Sequence, residues 1–425
     1  MTRRILWVFG MMGMKKLIPG ILTVIGLLLL QSSILFADEE KKSLEELLVE
    51  KGVITKDDLK SVRQVKLAPW IDSISFSGDL RLREEYVNFD NANVCIAPAT
   101  SCGPDYNRER FRLRFGTEIT IGKFLVGFRL ASGTGQQVSA NQTFTNLFSQ
   151  KPIFIDRAYL RWNAADWISL TGGKMSLPFL WLPTTEIVWD DDIAPEGLAE
   201  NLKLKPTDNL VIFINLGQFV LNQVNADKNY PWMFGEQVGT ELALGDATKL
   251  TLAVADYYPT NIKKATLLGG TAVQQDGNSR VSAANSTLTS QFNVVDVTAQ
   301  LATKVGPLPI AVMADLIRNT AKTTSGKNAG IQGGVILGKA AAAKTWEVAY
   351  FYKYSETDDT LADLADSDFG NGGTNRKGHI TWAAYNFTKY LTAKAKFFST
   401  KVVNETLAPG KDSIDKLQLD MIIKF

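Results

Sequence analysis

Arg110-Phe111-Arg112-Leu113-Arg114-Phe115-Gly116-Thr117-Glu118-Ile119 sets the period of this chain. On an extended backbone Phe111, Leu113, Phe115 and Ile119 fall on one side, and Arg110, Arg112, Arg114 and Glu118 on the other. A helix would scatter both sets around its circumference, so the stretch reads as a strand with one apolar face. Upstream, Ile74-Ser75-Phe76-Ser77-Gly78-Asp79-Leu80-Arg81-Leu82-Arg83 alternates in the same way, with its apolar residues at even positions. Two such strands would suit a soluble sandwich equally well.

The whole series discriminates. Strand-like segments recur near 74–86, 108–121, 124–132, 153–163, 167–175, 196–205, 209–220, 234–244, 248–257, 291–304, 309–319, 328–338, 344–355, 378–387, 391–402 and 415–425, about sixteen in all. Tight turns such as Gly122-Lys123, Pro206-Thr207-Asp208 and Gly306-Pro307 follow the even-numbered segments. Long polar loops, among them 87–107, 133–152, 176–195, 258–290 and 356–377, follow the odd ones. Short turns at one rim, long loops at the other and an even strand number describe a transmembrane antiparallel up-and-down β-barrel, an all-β fold. Composition agrees: mean hydropathy is −0.03 and charged residues make up 21%. A helical membrane protein would need repeated apolar runs of roughly 20 residues. A barrel hides its apolarity in alternation.

The N-terminus reads differently. Arg3, Arg4, Lys15 and Lys16 precede an apolar run from Leu17 to Leu30, and Leu35-Phe36-Ala37 stands just before Asp38. This is the layout of a secretory signal peptide over residues 1–37. Its removal takes away four basic residues and no acidic ones, so the net charge moves from +2 to +2 − 4 = −2. Nucleic-acid binding therefore has no electrostatic support. Ser43-Leu44-Glu45-Glu46 and Thr55-Lys56-Asp57-Asp58 look like capping boxes on either side of Gly52. They predict a short periplasmic helical segment over 38–70, with 71–425 forming the barrel. Cell-wall contact or self-association through 38–66 is left open by the sequence. Cys95 and Cys102 lie close together in a polar loop, and in an exported chain such a pair is expected to form a disulfide.

Six phrases resemble a family of bacterial outer-membrane porins related to the general diffusion porins: 45–59 (EELLVEKGVITKDDL), 78–83 (GDLRLR), 127–141 (GFRLASGTGQQVSAN), 155–160 (IDRAYL), 172–179 (GGKMSLPF) and 188–199 (VWDDDIAPEGLA). They span the first half of the mature chain. The resemblance implies an outer-membrane channel for passive diffusion of small polar solutes, in contact with outer-membrane lipid and assembled as a homotrimer. It also implies that terminal Phe425 is the signal recognised by the barrel-assembly machinery.

With the apolar faces toward lipid, Arg81, Arg83, Arg110, Arg112, Arg114, Arg157 and Arg161 point into the lumen, because a lipid-facing Arg at mid-depth costs roughly 2–4 kcal/mol. They serve either as a structural ladder paired with Asp79, Glu84 and Glu118 or as a solute-sorting wall. The third long loop carries Glu186, Asp190, Asp191, Asp192 and Glu196 interleaved with Trp181, Ile187, Val188, Trp189 and Ile193. By analogy with general porins this loop folds inward and narrows the pore opposite the arginines. The alternatives are a Ca²⁺ site at Asp190, Asp191 and Asp192, or a solvated charge run. The 258–290 and 356–377 loops read as flexible surface segments. Trp162, Trp167, Trp346, Trp382, Tyr385, Phe387 and Tyr390 are candidates for interfacial girdles. The lone histidine, His379, and the lack of a Gly-x-Ser-x-Gly elbow point away from hydrolase chemistry. No motif calls for a cofactor. A substrate-specific anion or sugar channel and a structural or adhesive barrel remain rival readings.

Overall fold

The computed structural model describes residues 51, 68–89, 105–223, 229–263, 277–282, 285–404 and 413–425. The expected signal peptide, the 38–66 helical segment (Lys51 apart) and the Cys95–Cys102 pair lie outside the described residues. The chain divides into two compact units between Ala68 and Pro69, and the second is the barrel.

Sixteen antiparallel strands form it: β1 Ser73–Phe89, β2 Tyr106–Ile121, β3 Phe124–Ser132, β4 Ile153–Ala165, β5 Ile168–Lys174, β6 Glu196–Thr207, β7 Leu210–Val220 and β8 Trp232–Ala243, then β9 Lys249–Pro259, β10 Val294–Val305, β11 Leu308–Asn319, β12 Ala329–Gly338, β13 Thr345–Ser355, β14 Arg376–Asn386, β15 Leu391–Val402 and β16 Ser413–Lys424. Each strand expected from alternation is present, with ends displaced by a few residues. Neighbours in sequence pair, and β16 returns to β1 in register from Asp79↔Lys424 to Phe89↔Ile414. Closure leaves no free edge, the feature that lets a sheet cross a bilayer. The seam ends on Phe425, whose N–H donates to the Gly78 carbonyl at 3.1 Å while the Gly78 N–H donates to the Phe425 carbonyl at 2.7 Å. A Cβ on Gly78 would stand 2.6 Å from the Phe425 ring, so the seam needs glycine there.

Alternation sorts the wall into two faces. Phe76, Leu82, Leu113, Phe115 and Leu160 are exposed on the outside, while Asp79, Arg81, Arg83 and Glu85 are buried inside. Trp162, Trp167, Trp346, Tyr385 and Tyr390 are exposed near the turn rim, as a girdle requires. Trp382 is not among them: it points inward, stacked on Phe351 at 5.1 Å. On β14 the usual pattern is inverted. Ile380 and Trp382 share the inner face, and Lys377, His379 and Thr381 the outer, because an apolar lumenal cluster of Phe351, Phe369 and Phe398 receives them.

The lumen is far from empty. The 356–375 loop is not a surface segment: Leu361, Ala362, Ala365 and Phe369 are buried inside the barrel. The described part of the 258–290 loop is tied to it, with Asn278 Nδ2 donating to the Thr357 and Thr360 carbonyls, both at 2.8 Å. Of the 133–152 loop, Val138, Ala140, Asn141 and Gln142 are buried, whereas Leu147 and Phe148 are exposed. The reason is shared: an apolar side chain of these loops finds a dry wall inside the barrel and none at the rim.

Candidate functional site

The wall of the site follows from the β1–β2 register: Asp79 opposes Arg114, Arg81 opposes Arg112 and Arg83 opposes Arg110. Two of these three pairs are like-charged, an arrangement that destabilises a sheet unless anions reach it from elsewhere. Asp79 supplies part of that charge, accepting from Arg112 Nη2 at 3.1 Å and Arg114 Nε at 2.6 Å. Asp420 on β16 takes two hydrogen bonds from Arg83, at 2.7 and 2.9 Å. The rest comes from loops.

The 175–195 loop lies across the lumen because its apolar side chains pack on the opposite wall. Phe179 meets Tyr257 at 5.1 Å and Trp189 meets Tyr257 at 5.3 Å, within a buried cluster that includes Ile187, Val188, Ile193, Phe219 and Met233. A 3₁₀ turn, Thr185–Ile187, is pinned by Gln332 Nε2 donating to the Pro183 carbonyl at 2.9 Å. With the apolar side chains facing that wall, the interleaved acids face the arginines. Asp192 Oδ1 lies 3.4 Å from both Arg112 Nη1 and Arg114 Nη1, and its Oδ2 accepts from the Ala140 N–H at 3.1 Å. The 356–375 loop adds Asp368, 3.1 Å from Arg83 Nη1. The loops hold each other: Asp190 N–H donates to the Leu364 carbonyl at 2.8 Å, and Ser367 N–H to Asp190 Oδ2 at 2.8 Å. Between wall and loops remains a cavity of about 280 Å³, lined by Arg81, Arg83, Arg112, Arg114, Glu186, Asp190, Asp191 and Asp192.

Not every expected residue comes to this place. Arg110 is half-buried on the same wall but does not line the cavity, and its Nε has no hydrogen-bond partner. Arg157 opposes Arg129, and the register shift just beyond this pair leaves Asp156 as an extra residue that reaches both. Arg161 donates to Thr171 Oγ1 at 3.4 Å and stacks over Tyr159. Both extend the basic inner wall on β4, away from the acidic loop's cavity. Glu196 is a correction: it begins β6, is exposed at the outer rim and pairs with Lys174 at 2.9 Å. Its carboxylate is on the same face as lipid-exposed Leu198, so strand parity carries it away from the lumen. Of the expected ladder partners only Asp79 serves. Glu84 accepts from Tyr86, and Glu118 accepts from Tyr159 at 2.7 Å.

Several residues of the site lie beyond the sequence reading. Asp366 and Asp368 come from a loop read as surface, and Lys394 and Lys396 from the inner face of β15. Lys394 Nζ lies 4.6 Å from the Trp382 ring centre and Lys396 Nζ lies 3.9 Å from Glu186. The signal was available in 361–369, where Leu361, Leu364 and Phe369 interleave with Asp363, Asp366 and Asp368 as in the third loop.

Burial and charge set the loop carboxylates apart. Burial lifts Glu186 to about 8, with Asp366 and Asp191 adding to the rise and Lys396 and Lys353 opposing it. Burial beside Asp191, Asp192 and Asp366 raises Asp190 well above the usual carboxylate range. For Asp192 burial acts upward too, but the guanidiniums of Arg112, Arg114 and Arg81 outweigh it and hold the group low. Carboxylate oxygens of Asp190, Asp191 and Asp192 lie within 4.8 Å of one another. Protein donors already engage two of the three, since Asp190 also accepts from the Asp192 N–H at 2.9 Å. A raised Glu186 is neutral below about 8 and ionised above it. Raising the pH through that value adds a negative charge to the cavity, so the current should become more cation-selective. Reversal potentials taken from pH 6 to pH 10 are expected to show this step, and Glu186→Gln to flatten it. An undiminished step in that variant would assign it to another group.

A family model described as "Putative porin" matches residues 49–283 and 270–425. No curated protein sequence matches the chain. Among solved structures, OprB of Pseudomonas putida at high pH superposes with a TM-score of 0.53 at 11% identity, covering 83% of this chain and 94% of that one. OmpF of Salmonella typhi in complex with daunomycin covers 83% of this chain and 97% of its own, with a TM-score of 0.48 at 13% identity.

Proposed function

Because this chain belongs to the porin family whose model spans it, we propose that it is a water-filled outer-membrane channel passing small polar solutes by diffusion, sorted where the acidic loop faces the arginines. The observation that carries the reading is the separation of charge across one gap. Arg81, Arg83, Arg112 and Arg114 stand on one side, and Glu186, Asp190, Asp191 and Asp192 on the other. Asp192, held low by the arginines, and Glu186, which gains its charge above about 8, face the basic wall in a narrow lumen. Such a transverse field orients dipolar solutes and sets ion preference. Docking through Phe179, Ile187 and Trp189 keeps the loop in place, so the width is a built property of the barrel.

A second reading has its own support. Arg81 Nε, Arg110 Nε, Arg129 Nη2 and Arg157 Nε are buried donors without partners, distributed along β1 to β4. Such N–H groups would serve a track for carboxylates or phosphates, making the channel anion-specific.

The test is single-channel recording of the purified, refolded mature chain in a planar bilayer under a salt gradient. Stepwise openings are expected. A reversal potential near zero or mildly selective supports the general channel, and strong anion selectivity with current block by an organic anion supports the track. Silence from a correctly folded barrel would overturn both and favour a structural barrel.

A further inference from the structure

The lipid-facing wall over β14 and β15 carries a ladder of directly opposed pairs. From the turn-side half of the strands toward the loop rim these are Ala383↔Ala395, Thr381↔Phe397, His379↔Ser399 and Lys377↔Lys401. The lower rungs are small or apolar and leave a dent of about 450 Å³ between Val335, Leu337, Val348 and Tyr350 on one side and Phe397 and Leu417 on the other. Above it, His379 and the tyrosines of β13 form an aromatic step, with Tyr350 Oη 2.8 Å from His379 Nδ1 and Tyr352 stacked edge-on at 5.3 Å. The top rung is two lysines facing outward on neighbouring strands. Opposed residues of this kind place their Cβ atoms roughly 5 Å apart, and like charges so placed repel. Neither lysine has an ion pair among the described residues: Asp415 lies diagonally from Lys401, opposite Ser399, and Glu356, diagonal to Lys377, is engaged by the Asn328 and Ala329 N–H groups. Each rung lies about 6.8 Å above the last, so the lysines stand about 20 Å from the alanines along the strands.

An apolar dent of that reach, an aromatic step and a paired dication at the loop rim together match one kind of molecule. We propose that this face binds an outer-leaflet lipid bearing both phosphate and acyl chains, with a phosphate between Lys377 and Lys401 and an acyl chain in the dent. The anion relieves the repulsion between the two ammonium groups, and the chain fills space that small side chains leave open. Aromatic side chains at the step suit the headgroup boundary. The proposal rests on the outer-membrane reading but not on conduction through the lumen.

Native mass spectrometry of the detergent-solubilised full chain, titrated with bisphosphorylated lipid A and with the dephosphorylated form, tests it. The wild-type barrel is expected to retain the phosphorylated lipid and to hold the dephosphorylated one at least ten-fold more weakly. Lys377→Gln with Lys401→Gln should lower retention of the phosphorylated lipid about ten-fold. Ala395→Phe, which fills the dent while leaving the lysines in place, should lower it as well. Heat-modifiable gel mobility checks that each variant is folded, and single-channel conductance should be unchanged in all of them. Equal retention in wild type and the lysine variant would overturn the proposal. So would a barrel multimer abolished by Ala395→Phe with lipid retention intact, which would give the dent to a second copy of the chain.

Discussion

Arg83→Met is expected to destabilise the barrel by about 3–5 kcal/mol, the usual cost of stranding a buried partner charge. Arg83 binds Asp420 through two hydrogen bonds across the β1–β16 seam and reaches Asp368 on the inward-folded loop at 3.1 Å. The side chains of Arg83 and Asp420 are only 3% and 4% exposed, so water does not replace the lost partner. One guanidinium therefore ties both the closing seam and the 356–375 loop. Removing it together with Asp420, as Arg83→Met/Asp420→Leu, should cost less, because fewer charges are left unpaired. The midpoint of urea unfolding, followed by gel mobility of the folded barrel, reads both. A loss under about 1 kcal/mol for the single variant would mean that water reaches the pair and that the seam is held elsewhere.

Arg112→Gln with Arg114→Gln should change ion preference more than any other pair of lumenal substitutions. Both guanidiniums lie 3.4 Å from Asp192 and both bind Asp79, so their removal frees two acids in the cavity between the wall and the loops. Two positive charges lost beside ionised carboxylates change the local potential by an amount on the order of kT. The cation-to-anion permeability ratio is then expected to rise about three- to ten-fold. A ratio within error of wild type would mean that ions do not pass the Arg112–Asp192 contact. Arg110→Gln is the control: it stands on the same face but outside the cavity, so its effect should be smaller.

The wall of this protein is legible in its sequence because alternation is a local property. Arg110 to Ile119 declares its two faces without reference to any other strand, and β16 does so almost as clearly from Lys416 onward, with Ile422 alone out of step there. β14 is where that logic weakens. Its inner face carries Ile380 and Trp382 because neighbouring strands present Phe351 and Phe398 to them, which no single-strand pattern reveals. Glu196 fails for a related reason: the residue at which a loop becomes a strand decides which side a carboxylate takes. The third loop was readable from acids interleaved with Trp189 and Ile193, and the same pattern in 361–369 holds for the seventh. The lysines at 394 and 396 gave no such signal, since alternating Lys and Ala suits a rim as well as a lumen.

The central claim is that solutes pass between the acidic loop and the arginine wall. Asp191 is exposed in that gap, so a cysteine there can be modified from the water. The measurement is single-channel current of Asp191→Cys, with Cys95 and Cys102 replaced by serine, before and after a bulky methanethiosulfonate reagent. If ions pass the gap, modification should remove most of the current. Full current through a verifiably modified channel would place the conducting path elsewhere and contradict the account.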